Sequence, residues 1–341
     1  MEFLYEYGVF FAKAITIVIA IVVVVASIAA QASKQQKQQK GELTIESISE
    51  RLKDVSEYAR ETLLDKDELK AYQKEQKKKA KSESKSKDKD AKPNLFVIDF
   101  SGSMDAHEVD ALREEITAVL TVANEQDEVL VKVESGGGVV HGYGLAASQL
   151  QRIKDKGIKL TVSVDKVAAS GGYMMACVAD KVIASNFAII GSIGVIAQLP
   201  NFNKLLKKND IDFEQHTAGE YKRTLTMFGE NNDSGRDKFR QELEEVHQMF
   251  KTFVKDHRQD LDIDTVATGE YWYGQKALAL GLVDELITSD DFILAANDSR
   301  KIYAVQYATK KSVAEKLGLS LSVSVERGLM RLWERSQSLF K

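Results

Sequence analysis

A chain of 341 residues has room for one large or two ordinary domains, and 47 basic against 51 acidic residues give no bulk electrostatic reason to expect a nucleic-acid partner. The single cysteine, Cys177, excludes an intramolecular disulfide and a multi-cysteine metal centre, and its apolar neighbours Met174 to Val178 make it a small core residue. Only two prolines occur, and one of them, Pro93, stands where the composition changes abruptly.

After a short tail (1–8), Val9 to Ala30 is an apolar run interrupted only by Lys13, Thr16 and Ser27. Its length, roughly twenty residues, matches the hydrocarbon core of a bilayer and predicts a membrane anchor over 9–30. A cleaved signal peptide fits less well, because the apolar core is too long and Glu2 and Glu6 stand where positive charge belongs. Lys34, Lys37 and Lys40 follow the span, so charge asymmetry puts the bulk of the chain on the cytoplasmic side.

Residues 31–92 read as a helical and lysine-rich linker region. Ile45, Ile48, Leu52, Val55, Ala59 and Leu63 recur at helical spacing and predict one amphipathic helix from Leu43 to about Tyr72. Lys74 to Lys92 carries no large apolar side chain and reads as a solvated linker; no aromatic residues are interleaved to stack bases.

From Pro93 to residue 300 strands alternate with helices. Strands are predicted at Leu95–Phe100, Val129–Glu134, Leu160–Val164 and Val182–Ala184, and helices at His107–Asn124 and Gly144–Lys156. That order implies right-handed βαβ crossovers and a largely parallel sheet, an α/β domain with a repeated spiral of β-α units. Phe187–Leu199 is apolar, but Gly191, Gly194 and Pro200 fit buried strands and turns better than a second span. Asn203–Asp210 reads as a short helix, Asp212–Glu214 as a brief strand and Arg236–Arg258 as an amphipathic helix. Tyr271–Leu286 gives a helix and a strand, and 301–341 a basic helical tail.

Three stretches carry chemistry. Asp165 to Met175 holds Ser170 between a β-branched strand and a small-residue helix start, a turn that presents a hydroxyl beside unpaired N–H groups, where a nucleophile or merely an N-cap belongs. Glu134-Ser-Gly-Gly-Gly138 follows a strand, and its glycines let backbone N–H groups approach a ligand. Asp99-Phe-Ser101-Gly-Ser103 has the hard oxygen donors of a magnesium-dependent adhesion motif, the basis of a non-catalytic scaffold reading. A serine nucleophile needs a base. None of His107, His141, His216, His247 and His257 has a triad context. Lys222 is the other candidate, and a lysine serves as a base near neutral pH only where burial disfavours its charge.

The ordered set of the N-terminal span, the Ser-Gly-Gly-Gly loop, Val167-Ala-Ala-Ser-Gly-Gly-Tyr173, Gly191-Ser-Ile-Gly194, Gly219-Glu-Tyr-Lys222 and Tyr271-Trp-Tyr-Gly-Gln275 resembles the SppA/SohB family of membrane-anchored serine peptidases. The resemblance implies a ClpP/crotonase-like spiral and a Ser–Lys dyad. Ser170 would be the nucleophile, Lys222 the general base and Ser192 the hydroxyl that orients the lysine. N–H groups near Gly137 and at Gly171 would form the oxyanion hole. It further implies hydrophobic or signal-peptide-like substrates, a homo-oligomer, a site in the bacterial inner membrane, and no cofactor or metal. Gly136 stands where the family commonly has proline, which leaves this loop less constrained. A crotonase-type acyl-CoA enzyme shares the glycine loop, but the anchor and the lack of a placed acidic base count against it.

Overall fold

The structure is a computed structural model that describes residues 8–11, 13, 15–19, 22, 41–65, 67–72, 74 and 92–308. They fall into two units, Met1–Glu42 with Ala308–Lys341, and Leu43–Tyr307. In the first, the described residues of 8–22 are helical and expose apolar side chains, Phe10, Ile15, Ile17, Val18 and Ile19 among them. The rest of the anchor predicted over 9–30 lies outside the described residues, and among the described residues no helix is long and apolar enough to cross a membrane. Most of the lysine-rich linker, and the tail beyond 308, also lie outside them.

The second unit is built on a seven-stranded sheet. Its strands are β1 (Glu42–Ser47), β2 (Asn94–Ser101), β3 (Glu128–Glu134), β4 (Lys159–Val164), β6 (Lys181–Ala184), β9 (Glu285–Leu286) and β10 (Lys301–Ala308), in the spatial order β1-β10-β2-β3-β4-β6-β9. From β10 to β9 every neighbouring pair is parallel. Both faces are covered, which explains the nearly continuous apolar strand sequences. Phe96, Ile98 and Phe100 of β2 point to the larger core with Val129, Val131 and Val133, under the helices α2 (Val109–Val122) and α3 (Val140–Asp155). Leu95 and Val97 point the other way, to Leu130, Ile302 and Ile48, the last from α1 (Ile48–Leu63).

A smaller sheet carries the site. β5 (Val167–Ala169) runs parallel to β7 (Ile189–Gly191), which pairs antiparallel with β8 (Tyr271–Tyr273). It is stitched to the end of β3 where Ser135 N–H donates to Val167 O at 2.9 Å and Ala169 N–H to Ser135 O at 3.0 Å. The helix α4 (Gly171–Ala176) follows β5 directly. A 25-residue helix, Asp233–His257, covers this end of the unit and starts where the Asn232 side chain accepts the Gly235 N–H at 2.7 Å.

Several expectations change. Residues 43–47 belong to the strand β1, and the helix begins only at Ile48, because Ser47 accepts the Glu50 N–H at 3.1 Å in the Ser-x-x-Glu pattern of a helix start. α3 begins at Val140, ahead of the Gly144 predicted from the glycine-rich approach. Asp212–Glu214 is irregular. Residues 301–308, assigned to a helical tail, form β10 between β1 and β2.

Candidate active site

Ser170 is held in an unusual backbone conformation, φ 53° and ψ −118°, at the corner between β5 and α4. A positive φ costs a residue with a Cβ about 1–3 kcal/mol and persists only where the surroundings enforce it. Here Ser170 N–H donates to Gly191 O at 2.7 Å and Ser170 O accepts from Met174 N–H at 2.9 Å. The corner is thus clamped on both sides and its half-buried side chain has no capping hydrogen bond.

The glycine loop passes directly alongside. Gly137 has φ +87°, and a Cβ there would come within 2.7 Å of both Gly171 N and Ser170 Cβ, so only glycine permits this approach. The Gly137 N–H is already donated to Ser135 Oγ at 3.0 Å. Among the described residues, the N–H groups of Gly138 and Gly171 have no hydrogen-bond partner. Below them lies Tyr143, fully buried, whose hydroxyl sits 2.5 Å from Ser135 Oγ and donates to Ser103 O at 2.7 Å.

Ser170 opens on a cavity of about 390 Å³. Its walls are apolar, with Val140, Met174, Val246, Met249, Phe250 and Phe253 prominent, and Gly194 and Ile196 border it. The covering helix is tied to the Gly191–Gly194 turn by His247 Nε2, 3.3 Å from Ile193 O. Ile196 and Met249, 78% and 72% exposed, form an open apolar rim.

The residues singled out from sequence are therefore partly gathered. Ser170, Gly137 and Gly171 are in mutual contact, and Ser192 (φ 52°) follows Gly191 in the turn that holds Ser170, its own N–H donated to Glu270 O at 2.7 Å. Lys222 is not among the residues that line the Ser170 cavity. It is solvent-exposed in a turn whose N–H donates to Gly219 O at 3.2 Å, and no side-chain hydrogen bond or ion pair engages it among the described residues. Its neighbour Tyr221 lies under Lys238 Nζ, 5.5 Å from the ring centre.

Asp99 and Ser103 have separate partners. Asp99 pairs with Lys132 at 3.2 Å, whereas Ser103 Oγ donates toward Asp105 and Glu108 at 2.6 and 2.8 Å. Among the described residues no group of three or more His, Cys, Asp or Glu side chains is arranged to hold a metal ion. Two side chains of the site, Ser135 and Tyr143, are given no role by the sequence, and Gly138 is named there only as one glycine of its loop. Ser135 and Gly138 lie inside the glycine motif, while Tyr143 carries no local signal.

Residues 2–150 match the family described as Peptidase family S49 N-terminal, and residues 152–303 match Peptidase family S49. The class is that of the peptidases. The chain belongs to peptidase family S49, the SppA/SohB family. It is 50% identical over 327 residues to the probable protease SohB of Haemophilus influenzae, covering 93% of this chain and 92% of that one. It is 55% identical over 242 residues to the probable protease SohB of Buchnera aphidicola subsp. Acyrthosiphon pisum, covering 71% and 72% of the two chains. Among solved structures, a mutant of the 1510-N membrane-bound stomatin-specific protease matches with a TM-score of 0.39 and 14% identity, over 60% of this chain and 84% of that one, too distant to add to the argument.

Proposed function

We propose that this chain is a serine endopeptidase that cleaves apolar peptide segments through an acyl-enzyme, with Ser170 as nucleophile and Lys222 as general base. One observation carries the reading: a serine clamped at positive φ, beside unpaired backbone N–H groups, at the mouth of an apolar cavity. The Ser170 hydroxyl oxygen attacks the scissile carbonyl carbon while Lys222 takes its proton. The C–N bond then breaks as that proton passes to the leaving amine, leaving an ester on Ser170. Water attacks the ester carbonyl with its proton drawn to Lys222, the C–O bond to Ser170 breaks as Lys222 returns that proton to the serine oxygen, and the carboxylic product leaves. The Gly171 N–H is one donor to the oxyanion. Since the Gly137 N–H is committed to Ser135, the free N–H of Gly138 is the better second donor.

Lys222 must leave solvent to act, with Ser192 orienting its amine. Its exposure in the single chain supports a homo-oligomer in which a second subunit closes the site. The exposed apolar side chains of the N-terminal helical residues support a membrane anchor, in the bacterial inner membrane, and the lysines after it support a cytoplasmic catalytic side. No cofactor enters the mechanism.

Ser170→Ala and Lys222→Ala should each abolish cleavage of an apolar peptide while circular dichroism and thermal unfolding stay near those of the parent. Turnover retained in either variant removes the dyad. Protease accessibility in sealed vesicles tests the orientation.

A further inference from the structure

Four groups form a chain of hydrogen bonds beneath the glycine loop. Gly137 N–H donates to Ser135 Oγ at 3.0 Å, Ser135 Oγ lies 2.5 Å from the Tyr143 hydroxyl, and that hydroxyl donates to Ser103 O at 2.7 Å. Tyr143 is placed to donate to the Ser103 carbonyl and Ser135 Oγ to Gly102 O at 3.3 Å, either hydroxyl can donate in the short contact between them, and a Ser135 lone pair accepts the Gly137 N–H. The bonds meet at the two buried hydroxyls, an arrangement in which each bond polarises the next. Ser135 and Tyr143 are 2% and 0% exposed, which leaves no water to replace a lost partner. Burial also pushes the phenol above its ordinary pKa, so it stays a donor.

The other side of the loop is tied to the same turn, because Val139 N–H donates to Met104 O at 2.9 Å. Gly138 is thus bracketed, with Gly137 anchored through Ser135 and Tyr143 to residue 103, and Val139 anchored to residue 104. Gly136 imposes no restraint on φ, so these bonds supply the loop's order. The Tyr143 ring also supports the other donor: a Cβ on Gly171 would lie 2.4 Å from Tyr143 Cγ, so the ring lies directly against the Gly171 backbone.

We infer that Tyr143 and Ser135 are positioning residues that hold the Gly138 and Gly171 N–H groups aimed at the oxyanion, without touching the reacting atoms. The inference rests on the reading of Ser170 as nucleophile.

The test uses the full-length chain, Tyr143→Phe, Ser135→Ala and the double variant. It measures kcat and KM on an apolar peptide, inhibition by a peptide aldehyde that forms a tetrahedral adduct on Ser170, and binding of the cleaved product peptide. Removing an oxyanion donor costs about 100- to 1,000-fold, so loosening one should lower kcat and aldehyde affinity about 10- to 100-fold. KM and product affinity should stay within about twofold, and the double variant should lose no more than the worse single variant, as one chain of bonds requires. Should Tyr143→Phe fail to fold, Ser135→Ala, which leaves the ring in place, carries the test. Unchanged kcat and aldehyde affinity in folded variants, equal losses for aldehyde and product, or losses that multiply would overturn the inference. If an acylating probe labels Ser170 in the parent and the variants turn over normally, the positioning role alone fails. If the parent is neither active nor labelled at Ser170, the nucleophile reading fails with it.

Discussion

Ser170 holds φ 53° because its N–H and C=O are both claimed, by Gly191 and Met174. Glycine would occupy this conformation without steric cost, whereas alanine retains the strain. Ser170→Gly should therefore be more stable than Ser170→Ala by about 1 kcal/mol, the relief of strain outweighing the greater freedom of glycine when unfolded. Denaturant midpoints of the two inactive variants check this, and the reverse order would mean that the corner is unstrained. At this scale legibility was uneven. Ser170 was visible from the turn between a β-branched strand and Gly171-Gly172, and Gly137 from its motif. Tyr143 was not, since its value comes from a ring packed on Gly171 and a hydroxyl reaching Ser135 and Ser103, contacts that only the folded chain creates.

The contact between α2 and β10 carries a titratable group of its own. Glu115 of α2 is buried and accepts the Tyr307 N–H at 2.8 Å. Burial foremost, then the charge of Asp99, raises its pKa to about 7 despite that hydrogen bond. Because the folded pKa is higher than the unfolded one, the stabilisation is fully present below the unfolded value near 4.5 and is lost as pH rises through about 7. Glu115→Gln keeps an acceptor for Tyr307 and removes the charge. It should raise stability at pH 8 by about 1–3 kcal/mol and change it little at pH 4, as read from denaturant unfolding at the two values. Elements with a strong period were legible: the apolar stripe over Arg236–Arg258 gave a helix of nearly those bounds. β1 was not, because Leu43 and Ile45 fit the helical series that continues through Ile48 and Leu52, and the capping pattern at Ser47 outweighs that periodicity.

The alternation after Pro93 exposed an α/β unit with a parallel sheet, since strands buried on both faces are apolar throughout and are separated by amphipathic helices. The spatial order of strands was beyond its reach. Nothing local to Lys301–Ala308 says that the segment lies between the first two strands of the chain. Nor does the sequence say that Lys222 stands in solvent while Ser170 is half-buried. If a second subunit closes the site, mixing Ser170→Ala with Lys222→Ala chains under conditions that exchange subunits should restore part of the activity that each lacks alone. Persistent inactivity of a mixture shown to contain hetero-oligomers would require the lysine to come from the same chain as its serine.

The position of β10 also bears on how the protein is made. Lys301 pairs with Asn94 and Ala304 with Val97, and the same strand is the neighbour of β1 on its other edge. During translation from the N-terminus, β1 has no partner until residues near 308 have cleared the ribosome, more than two hundred residues after β1 itself was synthesised. The sheet is closed only when this segment emerges. A chain truncated before residue 301 lacks an interior strand, so incomplete products should expose two sheet edges and be recognised as unfolded before they could act as a peptidase.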